Sequence, residues 1–153
     1  VELPEGDDHA YGRTLAEWWK LCLNAEEAMA IVEPDVVVRP DVIAAFLEHP
    51  ADYVAYPYAL KTHIGVALGC TRFSASFIAR YPTLMDEAVA TNVSWRQFDV
   101  VAQRRLLAQK YGEQPTVLLP PVEHLNSDKA LLPDADPTPL MRVPSIEEIG
   151  NLA

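Results

Sequence analysis

The stretch Ala30-Ile31-Val32-Glu33-Pro34-Asp35-Val36-Val37-Val38 constrains the fold more than any other. An apolar run enters two carboxylates separated by a proline, and a second β-branched run leaves them. In an extended backbone, side chains two apart point to one side, so Glu33 and Asp35 are expected to converge. Pro34 has no amide proton, which predicts that the strand's hydrogen-bond ladder stops there and leaves the carboxylates at its exposed end. That is where α/β sheets keep their ligands. Two carboxylates so placed make a hard-oxygen site suited to Mg²⁺ or Mn²⁺, and through the ion to a diphosphate. Acidic residues beside a proline are also ordinary solvated turn residues. The apolar runs on both sides argue instead that this triplet interrupts the core of the fold.

The flanking sequence alternates helical and strand patterns. Upstream, Thr14 and Glu17 have the spacing of a capping box and predict a helix to about Asn24, with Leu15, Trp18 or Trp19, and Cys22 on one face. Downstream, Pro40 and Asp41 open a helix to about Glu48, since proline suits the first turn and a carboxylate suits the positive helix end. Strands are expected at Asp52–Tyr56, Ile64–Cys70 and Thr116–Leu119. Gly65 and Gly69 inside the second of these indicate either close approach by a backbone or ligand, or a bulge. Ser74 predicts a cap for a helix at Ala75–Arg80, and Thr83 with Asp86 a second short helix. Ser94 and Gln97 predict the start of a longer helix, Trp95–Tyr111, which Gly112 stops.

Strands alternating with helices imply an α/β sandwich with a mostly parallel sheet, over residues 1–126. From Ser127 the chain changes character. Pro133, Pro137, Pro139 and Pro144 forbid long helices, so residues 127–153 are expected to be an extended arm on this domain or on a neighbouring chain, a route to a homo-oligomer.

Composition narrows the partners. Among 153 residues, 22 Asp and Glu against 12 Lys and Arg give a formal charge of −10, which disfavours a surface that neutralises a nucleic-acid backbone. No apolar run is long enough to span a membrane, and Cys22 and Cys70 sit in apolar patterns that read as buried free thiols of a reducing compartment. A cytoplasmic location is the expectation. The sequence lacks G-x-x-x-x-G-K-[ST], G-x-G-x-x-G and G-x-S-x-G, so P-loop, Rossmann-motif and α/β-hydrolase chemistry have no support.

The order of these features resembles the GT-A type of nucleotide-sugar glycosyltransferase: Glu33-Pro34-Asp35 after a central strand, Trp95-Arg96-Gln97-Phe98-Asp99 on a later helix, and His124 after the last strand. The resemblance implies that Glu33-Pro34-Asp35 stands for the family's D-x-D motif, which holds the metal and the donor diphosphate. It implies that Asp35 and His124 are metal ligands, with Mn²⁺ or Mg²⁺ as cofactor, and that Glu33 and Arg13 face the nucleotide-sugar donor. Trp95 would bind the acceptor and Asp99 would take the proton from its hydroxyl, although Phe98 stands where the family carries a further acidic residue. A full first β-α-β unit does not fit before Glu33, which implies a compact or truncated member, a nucleotide base held by something else, or loss of donor binding. The alternative from the residues themselves is a non-catalytic interaction module of the same fold, in which Glu33 and Asp35 bond backbone amides.

Overall fold

A computed structural model describes residues 6–59 and 64–125. In chain order its elements are α1 (Ala10–Ala25), β1 (Met29–Val32), β2 (Val36–Val37), α2 (Pro40–Glu48), β3 (Tyr53–Ala55), β4 (Tyr58–Ala59), β5 (Ile64–Gly65), β6 (Cys70–Phe73), α3 (Ala75–Arg80), α4 (Leu84–Ala90), α5 (Trp95–Asp99), which runs on as a π-helix (Val100–Lys110), β7 (Thr116–Val117) and β8 (Val122–His124). The described residues divide into two compact units, 6–29 with 73–114, and 30–59 and 64–72 with 115–125. The segment Val1-Glu2-Leu3, whose sequence suggests a short strand, and the proline-rich arm at 127–153 lie outside the described residues.

The first unit is helical. Its longest α-helix, with His9 as N-cap, begins five residues earlier than the Thr14 capping box predicts. The turn that starts it is made by Asp7, whose carboxylate accepts from the His9 amide (2.9 Å) and whose carbonyl accepts from the Ala10 amide (3.2 Å). Thr14 therefore sits inside α1. The helix ends at Glu26, in the left-handed conformation (φ 56°), where the Glu26 and Glu27 amides reach back to Leu23 and Cys22 carbonyls at 3.3 and 3.0 Å. Of the adjacent tryptophans, Trp19 is 1% exposed and Trp18 46%, as neighbours 100° apart on a helix must divide.

Trp19 anchors a run of aromatic contacts. Its indole N–H donates to the Tyr81 carbonyl (3.0 Å) and its ring meets Phe73 edge-on at 5.1 Å. Phe73, Phe77, Tyr81 and Tyr111 continue it at centroid spacings of 5.3, 5.0 and 4.8 Å. Elsewhere Gly12 lets α1 approach Phe98, since a Cβ there would lie 2.5 Å from the ring. Ser74 caps α3 as predicted, its hydroxyl accepting from the Phe77 amide at 3.1 Å. Two predicted caps are not formed. The Thr83 hydroxyl donates to the Glu87 carboxylate instead (2.9 Å), and at Ser94 the Gln97 amide goes to the Ser94 carbonyl while the Trp95 amide goes to the Asp8 carbonyl. The α5 start and the Gly112 stop (φ 71°) hold, but the intervening helix winds in the wider π form from Val100.

The second unit carries two four-stranded sheets, ordered β1-β6-β3-β7 and β2-β8-β4-β5. The protein is thus of mixed α/β class, and the pairing is mixed where a mostly parallel sheet was expected. β3 with β7 and β4 with β8 are parallel, whereas β2 with β8 and β4 with β5 are antiparallel. Four residues between β4 and β5 cannot make a parallel crossover, which needs a dozen or more. The expected single strand Ile64–Cys70 is also two strands, β5 and β6, in different sheets with a turn at Leu68-Gly69 between them. Likewise Glu33-Pro34-Asp35 is the corner at which the chain leaves the first sheet (β1) for the second (β2). Val36, Phe46, Val54, Tyr56, Tyr58, Cys70 and Val122 form the core, with α2 contributing Phe46 against Tyr56. Among the described residues no helix is long and apolar enough to cross a membrane.

Candidate metal centre

The centre grows out of that corner. The Val36 amide donates to the Glu33 carbonyl (3.1 Å), closing a four-residue turn with Pro34 in the second position, where its fixed φ suits a turn. Glu33 and Asp35 therefore converge because the chain turns between them, and not along an extended strand as the spacing suggests. The Glu33 amide donates to the Gly69 carbonyl (2.9 Å), holding the first arm of the turn against the Leu68-Gly69 bend.

Sheet pairing delivers the histidine. In the antiparallel register of β2 and β8, Val36 faces His124, and beyond it the Leu125 amide donates to the Asp35 carbonyl (2.8 Å). His124 Nε2 consequently lies 3.5 Å from Asp35 Oδ2, with side-chain exposures of 13% and 28%. Ligand atoms of Glu33, Asp35 and His124 all lie within 4.8 Å of one another. Two carboxylate oxygens and an imidazole nitrogen so close together could hold a hard-to-borderline divalent cation.

Two neighbours complete the surroundings, and neither was singled out as a site residue from sequence. The parallel register of β4 and β8 sets Tyr58 opposite Val122, two residues from His124 and on the same face, and the Tyr58 and His124 rings lie 5.1 Å apart at 37°. A Cβ on Gly69 would collide with the Tyr58 hydroxyl and the Glu33 carboxylate. The glycine inside an apolar run was the visible signal. Tyr58, in a two-residue strand, gave none.

The other expected site residues belong to the helical unit. Arg13, on α1, is half exposed and ion-paired with Asp7, so its guanidinium is engaged with a carboxylate of its own unit. Trp95 is 43% exposed with the Arg96 guanidinium over its ring at 5.3 Å. Asp99 is half-buried where α5 passes into the π-helix, and Phe98, 2% exposed, packs edge-on against Tyr11 at 5.8 Å. The structure thus brings together Glu33, Asp35 and His124. Of the thiols expected to be buried, Cys70 is, and burial pushes it up to about 11, while Cys22 is half-buried and raised by desolvation and by Glu27.

Searches with family models, against curated proteins and against solved structures find no match to this chain.

Proposed function

We propose that this chain is a metal-dependent glycosyltransferase that moves a sugar from a nucleoside-diphosphate donor to an acceptor hydroxyl, its divalent cation held by Asp35 and His124 with Glu33 beside them. The observation that carries the reading is the convergence of those three side chains on one point, from a strand-end turn and from a strand 89 positions along the chain from Asp35. A resident Mn²⁺ would supply positive charge against the diphosphate of the departing nucleotide. The imidazole favours Mn²⁺ over Mg²⁺, which takes oxygen ligands almost exclusively.

The chain's own part is to orient and to hold charge. Asp35 is fixed through its carbonyl by the Leu125 amide, so its carboxylate is presented from a pinned backbone. Glu33, on the other arm of the turn, supplies a second carboxylate that binds the ion or orients the donor. The family resemblance further assigns acceptor binding to Trp95, half exposed as a stacking platform needs, and proton removal from the acceptor to Asp99. A GT-A-like sandwich belongs to the same proposal, in a form whose sheets mix parallel and antiparallel pairs.

A thermal-shift screen of nucleotide sugars with and without Mn²⁺ tests the reading. A donor at a hundred times its Kd should stabilise the protein by about 2.7 kcal/mol, and only when Mn²⁺ is present. No shift with any donor in Mn²⁺ would favour the non-catalytic module, in which the 3.5 Å contact of Asp35 with His124 serves as an ion pair joining β2 to β8.

A further inference from the structure

We infer that Gly69 and Tyr58 form the floor of the metal centre and fix two of its three ligands, Glu33 and His124; the inference rests on the metal site proposed above. Three observations meet here. The Glu33 amide is tied to the Gly69 carbonyl at 2.9 Å, so the glutamate backbone cannot move away from the glycine. With the backbone so close, the Glu33 side chain folds back over Gly69, and its carboxylate occupies the space that any Cβ at position 69 would fill. The Tyr58 hydroxyl reaches that same space from β4, bringing a phenol to the wall against which the carboxylate rests.

The tyrosine touches the second ligand as well. Its ring packs on the His124 imidazole at 5.1 Å and 37°, while the β4–β8 register holds the two residues on one sheet face. Tyr58 is 5% exposed, in the core with Val122 and Cys70, so its ring is locked by packing and can pass that rigidity to the imidazole plane. Outer residues of this kind set ligand orientation, and their loss costs about 10–100-fold in metal affinity. Tyr58 and Gly69 are positioning residues: they act through Glu33 and His124, and neither needs to touch the ion.

Mn²⁺ binding to the full chain, followed by calorimetry and by the EPR signal of free Mn²⁺, separates the possibilities, with Asp35→Asn as the ligand control. Gly69→Ala puts a methyl where the Glu33 carboxylate lies, and Tyr58→Leu removes the ring that packs on His124. Each should weaken Mn²⁺ binding about tenfold or more, while Tyr58→Phe, which keeps the ring, should leave it nearly unchanged. If one of the two disruptive variants does not fold, the other decides against Tyr58→Phe. Binding that is lost in Asp35→Asn but unaltered in Tyr58→Leu and Gly69→Ala would overturn the floor and leave the metal centre standing. Absence of Mn²⁺ binding in the unsubstituted chain would remove the metal centre and this inference with it.

Discussion

Carboxylates are used differently in the two units. In the helical unit Glu87, Glu113 and Asp86 each meet a cation or a phenol, as Asp41 of the β unit meets Arg39 (3.0 Å). Glu87 accepts from Lys110 (2.5 Å), Tyr111 (2.6 Å) and Thr83 (2.9 Å), Glu113 accepts from Tyr81 (2.5 Å) beside Arg80, and Asp86 pairs with Lys20 (2.8 Å). In the β unit, Glu33 and Asp35 are brought to each other and to a histidine. Like charges gathered at one point repel, and a cation between them relieves that repulsion. Under the proposed function the β unit's pair would be the place where a divalent ion does so.

The largest losses of stability are expected at the aromatic contacts of the helical unit. Phe98→Ala should cost about 3–5 kcal/mol in denaturant unfolding, because it empties a fully packed site under Gly12. Trp95→Ala, on the same helix but half exposed, should cost under about 1 kcal/mol. Equal losses at the two positions would mean that Trp95 is a core residue and no acceptor platform.

Alkaline titration probes the core of the β unit. The folded Cys70 thiol is raised by burial from its ordinary 9 to about 11, so the unfolded chain loses this proton first. The stabilisation is complete below pH 9 and falls away as pH rises towards 11, by about 2–3 kcal/mol. Cys70→Ala should flatten that part of the stability-against-pH curve. A curve unchanged by the substitution would show that the thiol is solvated.

Smaller effects should differ in sign between the units. Glu87→Gln should destabilise by about 1 kcal/mol at neutral pH, since three donors lose a charged acceptor that is partly open to solvent. Lys110, Tyr111 and Thr83 hold Glu87 below the usual carboxylate range, so this contribution persists to acid pH and vanishes only as pH drops through the lowered value. Glu33→Gln, in protein stripped of metal by chelator, should lose nothing or gain up to about 1 kcal/mol, because it relieves a like charge. A clear loss there would class Glu33 with Glu87 as a structural carboxylate.

Much of the helical unit was legible because its signals are local. Trp19 falls on the period of Leu15, Ser74 caps α3, and Gly112 stops a helix through positive φ, each readable within a few residues. Errors arose where two local signals competed: the Asp7 turn started α1 before the Thr14 box, and the Asp8 carbonyl took the Trp95 amide near Ser94. Nothing in the residues distinguished a π-helix from an α-helix after Asp99. In the β unit the carboxylate pair was visible in one stretch, but its geometry was not. Strands of two residues, such as β2 and β4, are too short to show a period, and the registers that place Tyr58 and Asp35 beside His124 are set by pairing across many residues. His124 entered the reading through resemblance, and only the β2–β8 pairing gives it a physical reason.

The most direct test of the central claim is Mn²⁺ calorimetry on the unsubstituted chain, on Asp35→Asn and on His124→Gln, with and without a nucleoside diphosphate. The account predicts one Mn²⁺ site in the unsubstituted chain, tightened by the diphosphate, abolished by Asp35→Asn and weakened at least about tenfold by His124→Gln, as expected for loss of a ligand or of its orientation. Mn²⁺ affinity that is the same in all three proteins would contradict it.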